Sequence, residues 1–438
     1  MLEQISKEAA LQKAKSVFDI AREKSDFYKE KYKDLGAIET VADWQKIPVF
    51  TKDELFDNSY PKSEKLLTLP LPLTNAIITS TGGSTGLARY TMLTYKEWNE
   101  FLERQAEALR LIGISEKDVV ANLFVAGSLW PSFVALHDNI RLIGAVHLPI
   151  SANIDFDKML QYIMEFKPTV LLSLPTVFVI LADKILQQNL NVDFVKVIGY
   201  AGEHMSLMIR NHLRKAFGEE VSIKSLAYTS ADCGLIGYQC DHCAPNEYHL
   251  PTDFQYVEIY DFEKNKICGP GETGEVLITN LERSSEPIIR YRIGDVATWT
   301  GKSCACGDKN PLFVIEGRAG DDFKIGGAYI EMDVIEASFS DYVSTHGISA
   351  NYQFELEDSS EGVLELSLNI ESSNTADSQK LAAQIRDNIQ ENVHDIKEGI
   401  AMKLVSLDVN FVDLGVLPRS PITGKVKRLN DKRVKEGK

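Results

Sequence analysis

The sequence has no apolar run long enough to cross a bilayer, which takes roughly twenty residues, and it is short of positive charge. Its 47 Lys and Arg stand against 63 Asp and Glu, a formal net charge of −16. The first absence excludes a membrane-spanning helix. The second argues against a nucleic-acid partner, which favours a basic face. Cysteine is scarce as well, with six in 438 residues. That is too few for a disulfide scaffold. The opening segment is charged and helix-like and has no secretory apolar core, so a cytoplasmic location is expected. There, the close pairs Cys240/Cys243 and Cys304/Cys306 read as reduced thiols or metal ligands.

What is present is enough apolar residue, 44%, to build more than one core at this length. Residues 6–34 pattern as an amphipathic helix interrupted at Ser25-Asp26-Phe27-Tyr28. A helix is expected over 95–111, opened by Thr94 with Glu97 as a capping box. Strands at 119–125, 145–150, 170–174, 194–198 and 221–227 then alternate with helices, among them 156–166, 176–187 and 205–217. The turn 127–131 opens another helix. This alternation predicts an α/β domain with a mostly parallel sheet covered on both faces. Residues 233–316 change to short strands between Cys, Gly and Pro turns, which predicts a β subdomain. Beyond them, strands at 348–357, 363–370 and 401–410 and a helix near 376–396 describe a small α+β domain. The expected divisions are a large domain over 1–317, a hinge at 318–322 and a small domain over 323–438.

One stretch organises the rest: Ile77-Ile78-Thr79-Ser80-Thr81-Gly82-Gly83-Ser84-Thr85-Gly86-Leu87-Ala88-Arg89-Tyr90. Glycines let a backbone approach a ligand closely, and hydroxyls with successive amides can cradle phosphate oxygens. No Gly-Lys-Ser/Thr follows, so this is not a Walker loop. Ligands of parallel sheets bind beyond the carboxyl ends of strands. Gly199-Tyr200-Ala201-Gly202-Glu203 and Tyr228-Thr229-Ser230-Ala231-Asp232 lie at such ends.

With Tyr291-Arg292-Ile293-Gly294-Asp295, Gly317-Arg318 and Leu417-Pro418-Arg419-Ser420-Pro421-Ile422-Thr423-Gly424-Lys425, these stretches form an ordered set. In that order the chain resembles the AMP-forming acyl/aryl-CoA ligases, and most of all their phenylacetate–coenzyme A ligase branch. The resemblance implies ATP, Mg²⁺ and coenzyme A as co-reactants and a small carboxylic acid as substrate. It places the ATP phosphates on Ser80, Thr81, Gly82, Gly83, Ser84, Thr85 and Gly86. It puts adenine against Tyr228 beside Thr229, and Gly202 and Glu203 near the nucleotide. Asp295 would accept the ribose hydroxyls, and Arg318 would contact ribose or phosphate. Asp232 stands where the family usually has a Glu that helps hold Mg²⁺, one methylene short. Lys425 resembles the lysine that holds the acid and α-phosphate during adenylation, making Lys425, Asp232 and Thr81 the catalytic candidates. The hinge falls on Gly320 or Asp321, and Lys324, Gly326 and Gly327 would face the site for thiol attack. Trp130, Tyr200, Leu235 and Ile236 would wall an aromatic, phenylacetate-like acid. A non-aryl acid, or transfer to a protein thiol, is the alternative. A homodimer is plausible from the same resemblance.

The cysteine pairs carry an expectation of their own. Two turns presenting four thiolates suit a closed tetrahedral zinc site, with Cys240, Cys243, Cys304 and Cys306 as ligands in a structural role. His249 follows the first pair closely and could replace Cys240 or Cys243.

Overall fold

A computed structural model describes residues 2–80, 89–318, 323–325, 328–330, 332–346, 348–359, 363–372, 378–419 and 426–432. The fold class is the expected one. Parallel strands and antiparallel sheets make a mixed α/β N-terminal domain, and a smaller α+β domain follows. Contacts divide the chain into two compact units, Met1–Asn153 with Lys224–Ala319, and Ile154–Ile223 with Gly320–Lys438. Among the described residues no helix is long and apolar enough to cross a membrane.

In the first unit the helix Leu2–Lys24 stops at Ser25, whose hydroxyl accepts from Tyr28 N and so caps the next helix, Asp26–Lys31. A side chain that bonds the backbone locally ends one helix and starts another. This accounts for the interruption seen in the sequence. Tyr28, Tyr32, Phe18, Trp44 and Phe50 are buried with Tyr291 in the main core. That core lies against a six-stranded sheet, in the order Glu247–His249, Leu312–Arg318, Tyr291–Trp299, Thr273–Asn280, Gln255–Asp261, Lys266–Ile267. The neighbours whose register is resolved pair antiparallel, and Asp295 stands opposite Arg318. The strand Ala76–Ser80 pairs antiparallel with Tyr90–Thr94, Ser80 opposite Tyr90, so the strands that flank the glycine-rich segment form a hairpin. The helix Tyr95–Leu111 starts at Thr94 with the expected capping box. Its Glu97 also accepts from the backbone N–H groups of Ser284 and Ser285 at 2.9 Å each.

In the second unit the parallel strands Val170–Ser173 and Val197–Tyr200 are buried along their whole length. Strands covered on both faces read as continuous apolar runs. The four-stranded sheet runs Val405–Asp413, Leu364–Ser372, Tyr352–Asp358, Leu429–Asp431. The single helix expected near 376–396 is two helices, Ser378–Asn392 and His394–Ala401. The second of them continues to 401 and turns at Lys403, φ +59°. The last long strand therefore starts at Val405 rather than at 401.

Candidate nucleotide site and metal centre

The strand Tyr228–Ser230 pairs antiparallel with Gly234–Gly237, Tyr228 opposite Gly237. A Cβ on Gly237 would lie 2.8 Å from Phe313 and 2.9 Å from Tyr248. A larger residue at 237 would therefore displace the Phe313 ring or the Tyr248 side chain, which pack on Tyr228 with ring centroids 6.1 Å and 5.8 Å away. The Tyr228 hydroxyl donates to Asp295 Oδ2 at 2.5 Å. Burial first, then Asp295, raises the pKa of this phenol well above its ordinary value, so it stays protonated and remains a donor. Arg318 Nε donates to Asp295 Oδ1 at 3.0 Å. Each carboxylate oxygen has two lone pairs, so Asp295 can accept two further hydroxyls while keeping Tyr228 and Arg318. The expected adenine, ribose and arginine positions thus meet at one buried carboxylate.

Asp232 is buried too, and its Oδ2 accepts from Arg89 Nη2 at 2.7 Å. Among the described residues, its Oδ1 has no hydrogen-bond partner. A buried carboxylate oxygen without a donor is costly, and it suits a hard cation. The shorter Asp is therefore compatible with Mg²⁺ in chemistry. Arg89 leaves the glycine-rich segment, so the ion pair ties that hairpin to the Tyr228 strand. Residues 81–88 lie outside the described residues, and with them the expected contacts of Thr81, Gly82, Gly83, Ser84, Thr85 and Gly86. So do Lys425, Gly320, Asp321, Gly326 and Gly327. Lys324 lies on the strand Phe323–Ile325.

Sequence reasoning missed Lys52. It opens the helix Lys52–Asn58, and its Nζ would lie 3.0 Å from a Cβ on Gly294, whose φ is +87°. Partial burial and the Arg318 and Arg89 guanidiniums lower its pKa, against Asp295 and Asp232. Lys52 therefore belongs with both candidate carboxylates. A cation in the first turn opposes the helix dipole, and that misplacement was the available signal.

The expected acid-binding residues fall in both units, Trp130, Leu235 and Ile236 in the first and Tyr200 in the second. Leu235 packs with Ala227 and Phe254, and Ile236 is in the main core. In the second unit Tyr200 is buried, and its hydroxyl accepts from Arg210 Nη2 at 2.7 Å. Glu203, also in that unit, accepts from Thr176 N at 2.9 Å and Thr176 Oγ1 at 2.8 Å. It thereby anchors the first turn of the helix Pro175–Gln187. Gly202, just before it, has φ +81°. Trp130 keeps a different standing. It begins the helix Pro131–Ile143 after Ser128 and Leu129, which hold φ of 53° and 62°. Bulky residues in the left-handed region store strain, and such strain gathers at functional sites. Leu129 O accepts from Ser80 N at 2.8 Å, so this strained turn is tied to the glycine-rich hairpin. The Trp130 indole N–H is buried with no acceptor among the described residues.

The cysteines converge. Cys240 Sγ lies 3.6 Å from Cys243 Sγ, 3.5 Å from Cys304 Sγ and 3.5 Å from His249 Nε2. With zinc–sulfur bonds of about 2.3 Å and zinc–nitrogen bonds of about 2.0 Å, the edges of a tetrahedral site measure roughly 3.5–3.8 Å. Cys240, Cys243, His249 and Cys304 are mutually within 4.8 Å. Cys306 Sγ is 3.6 Å from His249 Nε2 but falls outside that mutual set. His249 is fully buried, stacked on Tyr238, with Nδ1 3.4 Å from Asn310 O. An Nδ1–H held by a carbonyl presents Nε2 as the ligand atom. The donor set fits zinc.

A family model for AMP-binding enzymes matches residues 76–281. Over 96% of this chain and 94% of the relative, the sequence is 25% identical to phenylacetate-coenzyme A ligase of Escherichia coli K12. It is 30% identical to indoleacetate–lysine synthetase of Pseudomonas savastanoi over 39% of this chain and 38% of that protein. The fold matches 2-hydroxyisobutyryl-CoA ligase in complex with its acyl-adenylate at TM-score 0.80 and 20% identity, covering 97% of this chain and 89% of that one. The family match spans the glycine-rich hairpin, Tyr228 and Asp232, and the likeness to the E. coli ligase runs on through Asp295 and Arg318.

Proposed function

We propose that this protein is an ATP-dependent ligase that activates a small carboxylic acid as its acyl-adenylate and passes the acyl group to coenzyme A. The observation that carries this is Asp295, bonded at once to Tyr228 and Arg318 beside Lys52, Arg89 and Asp232. In the first step an oxygen of the acid attacks the α-phosphorus of ATP. The bond to the β-phosphate breaks, and pyrophosphate leaves with its electron pair. In the second step the coenzyme A thiolate attacks the acyl carbonyl, and AMP leaves with the electrons of the C–O bond. Asp295 orients the ribose, and Tyr228 offers its ring to adenine. Lys52 and Arg89 place positive charge on the phosphate side, and Lys425 neutralises charge at the α-phosphate. Asp232 Oδ1 would hold Mg²⁺, which supplies neutralisation of the transferred phosphates when bound. Asp295→Asn keeps the side-chain shape but removes a charge-assisted acceptor, a loss of about 1.5–3 kcal/mol. The KM for ATP should rise at least about tenfold with the fold intact, measured by steady-state pyrophosphate release. An unchanged KM would remove Asp295 from the nucleotide site.

For the acid, a small non-aryl substrate is favoured over phenylacetate. Leu235 and Ile236 are taken up by packing, and Tyr200 is buried against Arg210. The buried Trp130 N–H suits an acid that carries its own acceptor oxygen. The solved relative named for 2-hydroxyisobutyrate supports the same choice, whereas the whole-length likeness to the E. coli ligase favours an aryl acid. In an acid panel, short branched or hydroxylated acids should release pyrophosphate with higher kcat/KM than phenylacetate. The reverse order would restore the aryl substrate. Free coenzyme A should then accept the acyl group without any carrier protein.

We also propose that Cys240, Cys243, Cys304 and His249 hold a structural zinc. Four protein donors close the coordination sphere and leave no position for substrate water.

A further inference from the structure

Beside Asp232 lies a buried ion pair that the steps above leave without a role. Arg283 is 2% exposed and Glu286 is fully buried. Arg283 Nη1 donates to the backbone O of Asp232. Its Nη2 donates to Glu286 Oε2, to Thr91 Oγ1 and, at 3.2 Å, to Met92 O. Glu286 Oε2 also accepts from Thr91 Oγ1 at 3.1 Å and from Met92 N at 3.2 Å. Thr91 and Met92 follow Arg89 closely, on the strand Tyr90–Thr94. One planar guanidinium therefore spans the two backbones that carry the Arg89–Asp232 pair.

Arg283 is itself held in place. Its backbone N–H donates to Asn280 Oδ1 at 2.9 Å, and Asn280 Nδ2 donates at 2.8 Å to the backbone O of Cys233, next to Asp232. Stability does not account for the pair. Removing two charges from water costs about as much as their attraction returns, and apolar residues of the same volume often do as well or better. Among the described residues, Arg283 Nε and Glu286 Oε1 have no hydrogen-bond partner, which adds to the cost. What an apolar pair could not supply is a fixed spacing between Asp232 and Arg89. In that spacing Asp232 Oδ2 is held by Arg89 at 2.7 Å, and Oδ1 has no donor among the described residues.

We propose that Arg283, with Glu286 as its counter-charge, is a positioning residue for Asp232. It holds the carboxylate so that Oδ1 stays open to a cation instead of closing on Arg89. This rests on Asp232 as the Mg²⁺ ligand of the function proposed above. A group that orients a metal ligand through hydrogen bonds is commonly worth about 10–100-fold in metal affinity. Its loss is felt where the metal takes part, and not where the nucleotide binds without it.

The test is calorimetric titration of the full-length protein with ATP, in Mg²⁺ and in EDTA, with no acid present so that nothing turns over. Arg283→Lys keeps a positive charge beside Glu286, but a point ammonium cannot span both backbones. The gain in ATP affinity on adding Mg²⁺ should shrink at least about tenfold, while affinity in EDTA, which draws on Tyr228 and Asp295, stays near wild type. Arg283→Met combined with Glu286→Leu removes both charges together and should show the same selective loss. It serves if Arg283→Lys does not fold. In an Asp232→Asn background Arg283→Lys should take away nothing further, because both act on one interaction. Equal weakening in Mg²⁺ and in EDTA would mark a merely structural role and overturn the proposal, as would an undiminished Mg²⁺ gain in both variants. A wild-type protein whose ATP affinity ignores Mg²⁺ would instead overturn Asp232 as the metal ligand, and this role with it.

Discussion

Lys425→Ala should lower acyl-adenylate formation by about 10²–10³-fold and leave thioester formation from preformed adenylate within a few-fold of wild type. The magnitude is that of removing one aimed charge from the place where negative charge develops at a transition state. A compact ammonium on a flexible stem suits a phosphate oxygen approached from a separate domain. The asymmetry follows from the chemistry. Attack on the α-phosphorus crowds anionic oxygens that need a cation, whereas thiolate attack on the acyl carbonyl does so less. Stopped-flow measurement of pyrophosphate release, set beside thioester formation from synthetic adenylate, reads the two steps apart. Comparable losses in both would remove Lys425 from the adenylation chemistry and leave it an ordinary basic residue near the C-terminus.

Protein purified without added metal should carry about one zinc per chain, and Cys240→Ser should lose it. Cys240 Sγ is within 3.6 Å of three other donors, so no other cysteine can replace it without moving the rest. The midpoint of thermal unfolding should fall by on the order of 10 °C, because metal binding free energy is folding free energy for such a site. The ligand set is tested separately. His249→Gln should lower zinc content, and Cys306→Ser should leave it near one. The opposite pattern would give the site four thiolates. The loss should also reach the nucleotide. Tyr248, next to His249 on the strand Glu247–His249, packs on Tyr228, and Leu312, opposite His249, begins the strand that ends at Arg318. The KM for ATP should therefore rise in Cys240→Ser. Active, well-folded protein without metal of any kind would exclude the zinc centre.

Local signals carried much of the fold. The capping box at Thr94 and Glu97 and the break at Ser25 were legible because a helix end is decided by residues three apart. The parallel strands were legible as apolar runs, although each was shorter than the run that marked it. Boundaries failed where a second local device intervened, as at Val393 and Lys403, which split one expected helix and delayed the last strand.

The sequence by itself determined the α/β class, the antiparallel β region, the order of the motifs and the pairing of cysteines, since each depends on spacing within a few residues. The tertiary structure alone decided which distant groups share one charge. Tyr228 and Asp295 are 67 residues apart, and no periodicity announces that one phenol donates to one carboxylate. Lys52 enters the same cluster from an N-terminal helix, and His249 enters the cysteine cluster by lying opposite Leu312. The tertiary structure also decided that Leu235 and Ile236 pack in separate cores, because an apolar side chain reads the same in sequence whichever neighbours it meets. Hydrogen bonds and metal ligation require donors within about 3–4 Å, and only the folded chain sets that distance between residues far apart in sequence.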